Sequence, residues 1–323
     1  MAKLAGVSTA TVTRAIHNGE VVSPETRRRV MDAVATLGYR PNPIARELRH
    51  GERRGAVGLV VSSFKNVFQM GVAAGAEREL LRSGVQLVIG SSDEDPSREP
   101  ELARAMADRR VQVLMMMPDG PERDYLDREQ LFGTPVVLVG RPPNGADVDV
   151  VVTADDTGIE EATLSLVDLG HRRIAVLGGD PGSYPTQQRL LGFRRALTAR
   201  GLPADDDLIV TGLLSSEQAA AAAKRLLGAN APATAVIALN LGISHGVLLD
   251  RIRHGRRQAF IAFDESEITR GLDVSAVTRG PEEIGRQAAR VALERIEAPQ
   301  SPKQKLVLPA NLARRHTGEI RPG

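Results

Sequence analysis

The 323-residue sequence contains no cysteine and no tryptophan, and only 3% of its residues are aromatic. Without thiols there is no disulfide framework and no thiolate metal site. No apolar run approaches the roughly 20 residues a membrane-spanning helix needs, and the opening MAKLAGVSTA lacks the apolar stretch of a secretory signal. A large charge of one sign is also missing: 42 Lys and Arg stand against 40 Asp and Glu, a formal net charge of +2. With 42% hydrophobic and 25% charged residues the composition is that of an ordinary globular protein, which excludes collagen-like, disordered and uniformly acidic or basic chains. The histidines, His17, His50, His171, His245, His254 and His316, show neither an HExxH pattern nor clustered ligand spacing, so no metal and no cofactor are expected. A cytoplasmic protein follows from these absences, with a length that suggests two domains or one large α/β unit with an appendage.

What charge there is lies unevenly. Residues 1–55 carry ten basic side chains against five acidic ones, a net +5 that leaves −3 for the rest. A basic head on a mildly acidic body points to a polyanion partner for the head. Within it, Ala2 to Ala5 reads as a helix end closed by Gly6, and Ser8 precedes a helix over Thr9–His17 whose Val12, Ala15 and Ile16 share one face while Ala10, Arg14 and His17 point the other way. The competing reading is a strand, because the β-branched Thr9, Thr11 and Thr13 alternate. A further helix is marked by Ser23 as N-cap, Pro24 at the first helical position and an apolar stripe of Val30, Met31, Val34 and Leu37 ended by Gly38. The prolines of Tyr39-Arg40-Pro41-Asn42-Pro43 stop it. Helix, tight turn and helix within about twenty residues is the spacing of a helix-turn-helix.

The run LAGVSTATVTRAIHNGEVVSPETRRRVMDAVATLGYRPNPIARELRHG resembles, in order and spacing, the DNA-binding headpiece of LacI/GalR bacterial transcription regulators. The resemblance implies that the second helix enters the major groove with Thr9, Ala10 and Arg14, Arg14 being the side chain able to donate twice to a guanine edge. Ser8, Thr11, Thr13 and His17 would hold phosphates and set register. Pro43 to His50 resembles the family's hinge helix, in which Ala45 faces the DNA and Leu48 takes the place of a leucine wedged into the minor groove. Family members usually carry several residues ahead of this Ala-Lys-Leu-Ala-Gly run, so either the true start lies upstream or the head is clipped in its first helix.

From Ala56 onward short apolar runs alternate with helical stretches: Ala56–Val61, Val85–Ile89, Val111–Met116, Val136–Val139, Val148–Val152, Ile174–Leu177, Ala235–Leu239 and Phe260–Ala262, with helices at Gly71–Arg82, Gly158–Leu169 and Ser216–Leu227 among them. Such alternation predicts parallel sheets covered on both faces, here in two lobes with a cleft where strand C-termini meet. The segments SSDEDPSRE, TPVVLVGR, ADDTGIEEAT, LGHRRIAVLGG, RLLGFRRAL and EEIGRQAARVALERIE resemble LacI/GalR effector domains, which share the fold of periplasmic sugar-binding proteins. The expected fold is thus a small all-α helix-turn-helix head, 1–42, a hinge, 43–53, and an α/β two-lobed periplasmic-binding-protein-like effector domain, 54–323. Lobe one is expected over about 54–147 and 280–298, lobe two over about 148–279 and 304–323.

The resemblance assigns effector binding to Arg189, Asn240 and Asp264, and Phe68, like Phe64, stands where a ring could be stacked. Leu241 replaces the aspartate that usually follows the asparagine, Val67 replaces a proline after Asn66, and Val111-Gln112-Val113 replaces Val-Asp-Gly. The lost carboxylate removes an acceptor suited to sugar hydroxyls, which leaves three expectations open: a less hydroxylated ligand, a partly apolar one, or a site that binds nothing. The implied function is a DNA-binding regulator, a repressor rather than an enzyme, whose partners are double-stranded inverted-repeat operator DNA, a small-molecule effector of sugar type and a second copy of the chain, in a dimer or a tetramer, with no membrane. Two alternatives stay open: a solute-binding protein with a basic head, and a hydrolase using Ser244 of the GxSxG-like Gly242-Ile243-Ser244-His245-Gly246 with Asp264 and His316.

Overall fold

The computed structural model describes residues 1–17, 22–38 and 55–323, in two units, Met1–Arg54 and Gly55–Gly323. In the first unit three short helices form, α1 Ala2–Ala5, α2 Thr9–His17 and α3 Pro24–Thr36. Gly6 ends α1 at φ 63°, the left-handed conformation that a residue without Cβ adopts freely. Ser8 Oγ accepts from the Thr11 N–H at 3.1 Å and Ser23 Oγ from the Thr26 N–H at 3.3 Å, so hydroxyls satisfy N–H groups that each first turn leaves unpaired. The strand reading of Thr9, Thr11 and Thr13 is overturned, because the Ser8 cap and the apolar Val12 and Ala15 outweigh β-propensity. Ala5, Val12, Ala15, Val30 and Ala33 form the core of this unit. Met31 and Leu37, expected in the stripe of α3, are 48% and 53% exposed. The inward pair is Val30 and Ala33, three residues apart and therefore on one face.

The second unit begins with β1 Ala56–Val61, α4 Val67–Arg82, β2 Gln86–Ser91, α5 Glu99–Asp108, β3 Val113–Met116, β4 Val136–Val139 and β5 Asp149–Thr153. It continues through α6 Asp155–Asp168, β6 Ile174–Leu177, α7 Tyr184–Ala199, β7 Ile209–Val210, α8 Ser216–Leu227, β8 Ala235–Ala238, α9 Leu241–His254, β9 Ala259–Phe263, α10 Glu267–Gly271 and β10 Ser275–Thr278. Last come α11 Pro281–Glu297, β11 Lys305–Leu308 and β12 Asn311–Ala313. Two six-stranded sheets result, in the orders β11-β5-β4-β3-β1-β2 and β12-β10-β9-β8-β6-β7. All pairs are parallel except β10 with β12. Every residue of β3, β4, β6, β8 and β9 is buried, as strands covered on both faces must be, which is why their sequences are unbroken apolar runs.

The boundary expected at residue 148 is displaced. β5 pairs with β4 and with β11, so 149–153 and 305–308 belong to the first lobe. An apolar run fits either sheet, and its partner strands decide which one takes it. The chain therefore crosses between lobes at Thr153–Asp155, at Thr278–Pro281 and at Leu308–Asn311. Arg295 of α11 pins the last return: its guanidinium donates to both Asp149 carboxylate oxygens, at 2.9 and 2.8 Å, and to the carbonyls of Pro299, Ser301 and Pro302. Among the described residues no helix is long and apolar enough to cross a membrane.

In lobe one α4 and α11 approach so closely that a Cβ on Gly285 would lie 1.9 Å from the Val72 carbonyl oxygen, and one on Gly75 would lie 1.9 Å from that of Glu282. Gly285→Ala should therefore cost about 1–3 kcal/mol or more by overpacking, while Gly271→Ala, with nothing within 4 Å of the added carbon, should stay within about 0.5 kcal/mol of the parent. Urea unfolding of the two variants measures the difference, and equal stabilities would refute the close approach.

His171 is buried, with Nδ1 2.9 Å from Thr234 Oγ1 and Nε2 2.8 Å from the Ile320 carbonyl oxygen. Burial holds its pKa below the ordinary imidazole value, opposed in part by the bond to Ile320, and burial lowers His245 as well. Because the folded values are depressed, the unfolded chain binds more protons as pH falls, so this stability is full above about pH 6.5 and declines below it. Thermal unfolding followed from about pH 7.5 to about pH 5.5 should show a falling midpoint, and His171→Gln should remove part of the slope. A slope that the substitution leaves intact would assign the effect to other groups.

Candidate nucleic-acid interface and interlobe site

In the head, Ser8 before α2 is exposed, as are Thr9, Ala10, Thr13 and Arg14 on α2, away from the buried Val12 and Ala15. Thr11 is half-buried, its Oγ1 2.9 Å from Ser8 Oγ, and Thr13 Oγ1 donates to the Thr9 carbonyl at 3.1 Å. The Arg14 Nε–H reaches the Ala10 carbonyl at 3.4 Å, a long bond from an exposed side chain. His17 is the last residue of α2. Arg27, Arg28 and Arg29 are exposed on α3. A helix face of hydroxyls and one guanidinium, with arginines nearby to neutralise phosphates, has the donors needed for backbone positioning and for a base contact. Ala45 and Leu48 lie outside the described residues, as does the rest of the expected hinge.

In the body, the strand ends and the interlobe crossings place the other candidates. Arg189 projects from α7 and is buried. Its Nε and Nη2 donate to Asp155 Oδ2 at 2.9 and 2.6 Å, its Nη1 donates to the Leu239 carbonyl, and its guanidinium carbon lies 3.7 Å from the centre of the Phe263 ring. Asp264 follows β9 at φ 64°, an uncommon conformation for a residue with a side chain. Its two carboxylate oxygens accept from Arg279 Nε and Nη2 at 2.9 and 2.7 Å. The Arg279 guanidinium lies 3.6 Å from the centre of the Phe68 ring and 4.9 Å from that of Phe263, while its Nη1 is 3.5 Å from Asp155 Oδ2. Thus Phe68, Arg189 and Asp264 converge, joined by Asp155, Phe263 and Arg279. Phe64 is exposed and takes no part.

Asn240 caps α9, its Oδ1 accepting from the Ile243 N–H at 2.9 Å. From lobe one Arg141, at the end of β4, reaches Asp119 at 3.4 Å. Three arginines and three aspartates make the junction neutral in pairs, Arg189 with Asp155, Arg279 with Asp264 and Arg141 with Asp119.

The electrostatics follow the burial. Burial pushes the Asp155 carboxyl up, but the charges of Arg189 and Arg279 and the bonds from Thr153 and Arg189 outweigh it and hold the pKa below the ordinary value. Burial lowers Arg189, and the opposing pull of Asp155 does not make up the difference. For Arg279 the carboxylates of Asp264 and Asp155 overcome burial and raise it. Burial raises Asp119, since Arg141 offsets the loss of water in part.

Asp155 and Arg279 are not among the residues expected from sequence to form the site. Asp155 stands in the ADDTG segment, and Arg279 is a lone arginine between a strand and a helix-starting Gly-Pro, both at chain crossings. The hydrolase reading fails on geometry. Ser244 is fully buried, its Oγ accepts from the Phe263 N–H at 3.0 Å and lies 2.8 Å from the Asn240 carbonyl oxygen, so it ties α9 to β9. Asp264, the acid that reading requires, is engaged by Arg279.

Comparison with known proteins covers the chain almost end to end. A family model described as bacterial regulatory proteins, lacI family, matches residues 1–42, and one described as periplasmic binding proteins and sugar binding domain of LacI family matches residues 54–312. The HTH-type transcriptional regulator DegA of Bacillus subtilis is 29% identical over 326 residues, covering 98% of this chain and 96% of DegA. Among solved structures, the transcriptional regulator CelR in complex with cellobiose is 29% identical, with a TM-score of 0.71 and 98% of both chains covered. The Lac repressor dimer bound to operator and the anti-inducer ONPF has a TM-score of 0.85 at 21% identity, covering 99% of this chain and 98% of that one, a likeness of fold.

Proposed function

The chain belongs to the LacI family of bacterial regulatory proteins, DNA-binding transcription regulators rather than enzymes, and on that premise we propose that it is a cytoplasmic repressor whose affinity for operator DNA is set by a small molecule at the lobe junction. The observation that carries the reading is the convergence of Phe68, Arg189 and Asp264 on one buried site in a chain whose head exposes Thr9, Ala10 and Arg14 on one helix face. Two copies bind an inverted repeat, because two-fold symmetry of the protein requires two half-sites. The effector is an uncharged molecule of the sugar kind: the junction is already neutral in pairs, and the related CelR is solved with cellobiose. By linkage, operator and effector change one another's affinity by the same factor. The solute-binding alternative leaves the exposed face of α2 and the arginines of α3 without a use.

Selection of bound sequences from random duplex DNA tests the reading. Enrichment of an inverted repeat with a deformable central step is the expected result, and failure to enrich any sequence at moderate salt would overturn it. On the recovered operator, Arg14→Ala should cost about 1–3 kcal/mol at one base position and relax the preference there. Equal weakening on every sequence would instead make Arg14 a phosphate contact.

A further inference from the structure

Each nitrogen of the Arg279 guanidinium has a carboxylate oxygen within 3.5 Å. Nε and Nη2 bond both oxygens of Asp264 in a bidentate pair, Nη1 faces Asp155 at 3.5 Å, and the flat face rests 3.6 Å from the centre of the Phe68 ring. Phe68 belongs to lobe one, whereas Asp264 and the Arg189 that holds Asp155 belong to lobe two. The side chain of Arg279 is 8% exposed and that of Asp264 10%, so neither is solvated in place of its partner. An edge of donors beside a face that can rest on an aromatic ring is also what a saccharide presents, with vicinal hydroxyls for a carboxylate and an apolar C–H face for a ring. Phe68 and Asp264, both assigned to the effector by sequence, are occupied by a side chain of the protein itself.

We propose that Arg279 is a resident occupant of the interlobe site: it holds the lobes together through Phe68 and Asp264, and an effector binds by displacing it from that carboxylate and that ring. This rests on the repressor reading and deepens it, making Arg279 a positioning and specificity-determining residue. A ligand succeeds only if it offers Asp264 two donors and Phe68 a flat apolar face at once. The displaced guanidinium need not go unpaired, because Asp155 already lies beside its Nη1. Bidentate geometry matters as much as charge, so lysine at the same position is not equivalent.

The test uses the full chain with Arg279→Ala and, as the probe, guanidinium ion at about 10 mM, far below denaturing concentrations, against equal sodium chloride. Guanidinium should raise the melting temperature of R279A, leave the parent unchanged, and lose its effect when Asp264→Asn is added. On the selected operator R279A should differ from the parent by fivefold or more, within the ordinary range of allosteric couplings of about 5- to 150-fold, and guanidinium should move it back. R279A that matches the parent on operator and ignores guanidinium overturns the proposal. So does an operator shift that guanidinium does not reverse, since Arg279 would then matter only as structure. If R279A does not fold, Arg279→Lys takes its place, and parental operator affinity in R279K overturns the proposal. A parent that binds no operator refutes the repressor reading, and the melting-temperature arm still decides whether the site accepts guanidinium in place of Arg279.

Discussion

Asp155 and Arg279 each stand where the chain passes between lobes, and the contact between their charged groups, 3.5 Å from Oδ2 to Nη1, is the one on which the junction depends. Taking a charge out of water costs several kcal/mol, so a buried arginine is stable only with a carboxylate beside it, and the reverse. Here the requirement is met in series. Arg189 satisfies Asp155, Asp155 adjoins Arg279, and Arg279 satisfies Asp264. No member can be removed without stranding another, so the four residues behave as one unit. Two of them are bound to backbone crossings, and the network therefore fixes the path of the chain between lobes as well as the chemistry of the junction.

A second buried pair shows what a static version of the same device looks like. Arg295 and Asp149 are fully buried, and the five donors of that guanidinium go to Asp149 and to carbonyls of residues 299–302, the loop that leads into β11. These partners all lie within one lobe, and among the described residues no cation–π contact involves it. The pair closes a loop. Arg279 differs in two ways: its contacts divide between lobes, and one of them is the face of Phe68, an attraction that a different flat group can replace. The likeness in burial and the difference in partners separate a structural ion pair from one placed to be exchanged.

The sequence reveals most of the scaffold. Ser8, Ser23, Pro24, Gly6 and the apolar faces of α2 and α3 are local signals, and a helix boundary is a local event. Unbroken apolar runs likewise give β1, β4 and β6 with their observed ends. What escapes is set by distant partners. Val148–Val152 is equally apolar in either lobe, and its place follows from hydrogen bonds to β4 and β11. The strands β7, β10, β11 and β12 have only two to four residues each, too few for a period or an apolar run to stand out. At the site, Arg189 and Asp264 are legible through a motif, whereas Asp155 and Arg279 acquire meaning when three crossings meet. Asn240 is the instructive case: an asparagine before a helix is a cap by local chemistry, and its Oδ1 is used in that way.

The neutrality of the junction bears on how it can switch. A ligand without charge leaves the total charge unchanged, so the free energy available is the difference between Arg279 on Asp264 and Phe68, and ligand donors on that carboxylate with Arg279 kept beside Asp155. Such differences are small beside the cost of exposing or stranding a buried ion, and they fall in the range of about 1–3 kcal/mol that allosteric couplings occupy. A bidentate pair and a stacked ring are also directional: a rotation that tilts Phe68 relative to Asp264 weakens both contacts of Arg279 together, so intermediate angles are disfavoured. Two lobes joined by three short crossings need such a device if a change at the junction is to be passed on as one of two positions rather than a continuous flexing. The pairing of an exchangeable guanidinium with a ring from the opposite lobe supplies it.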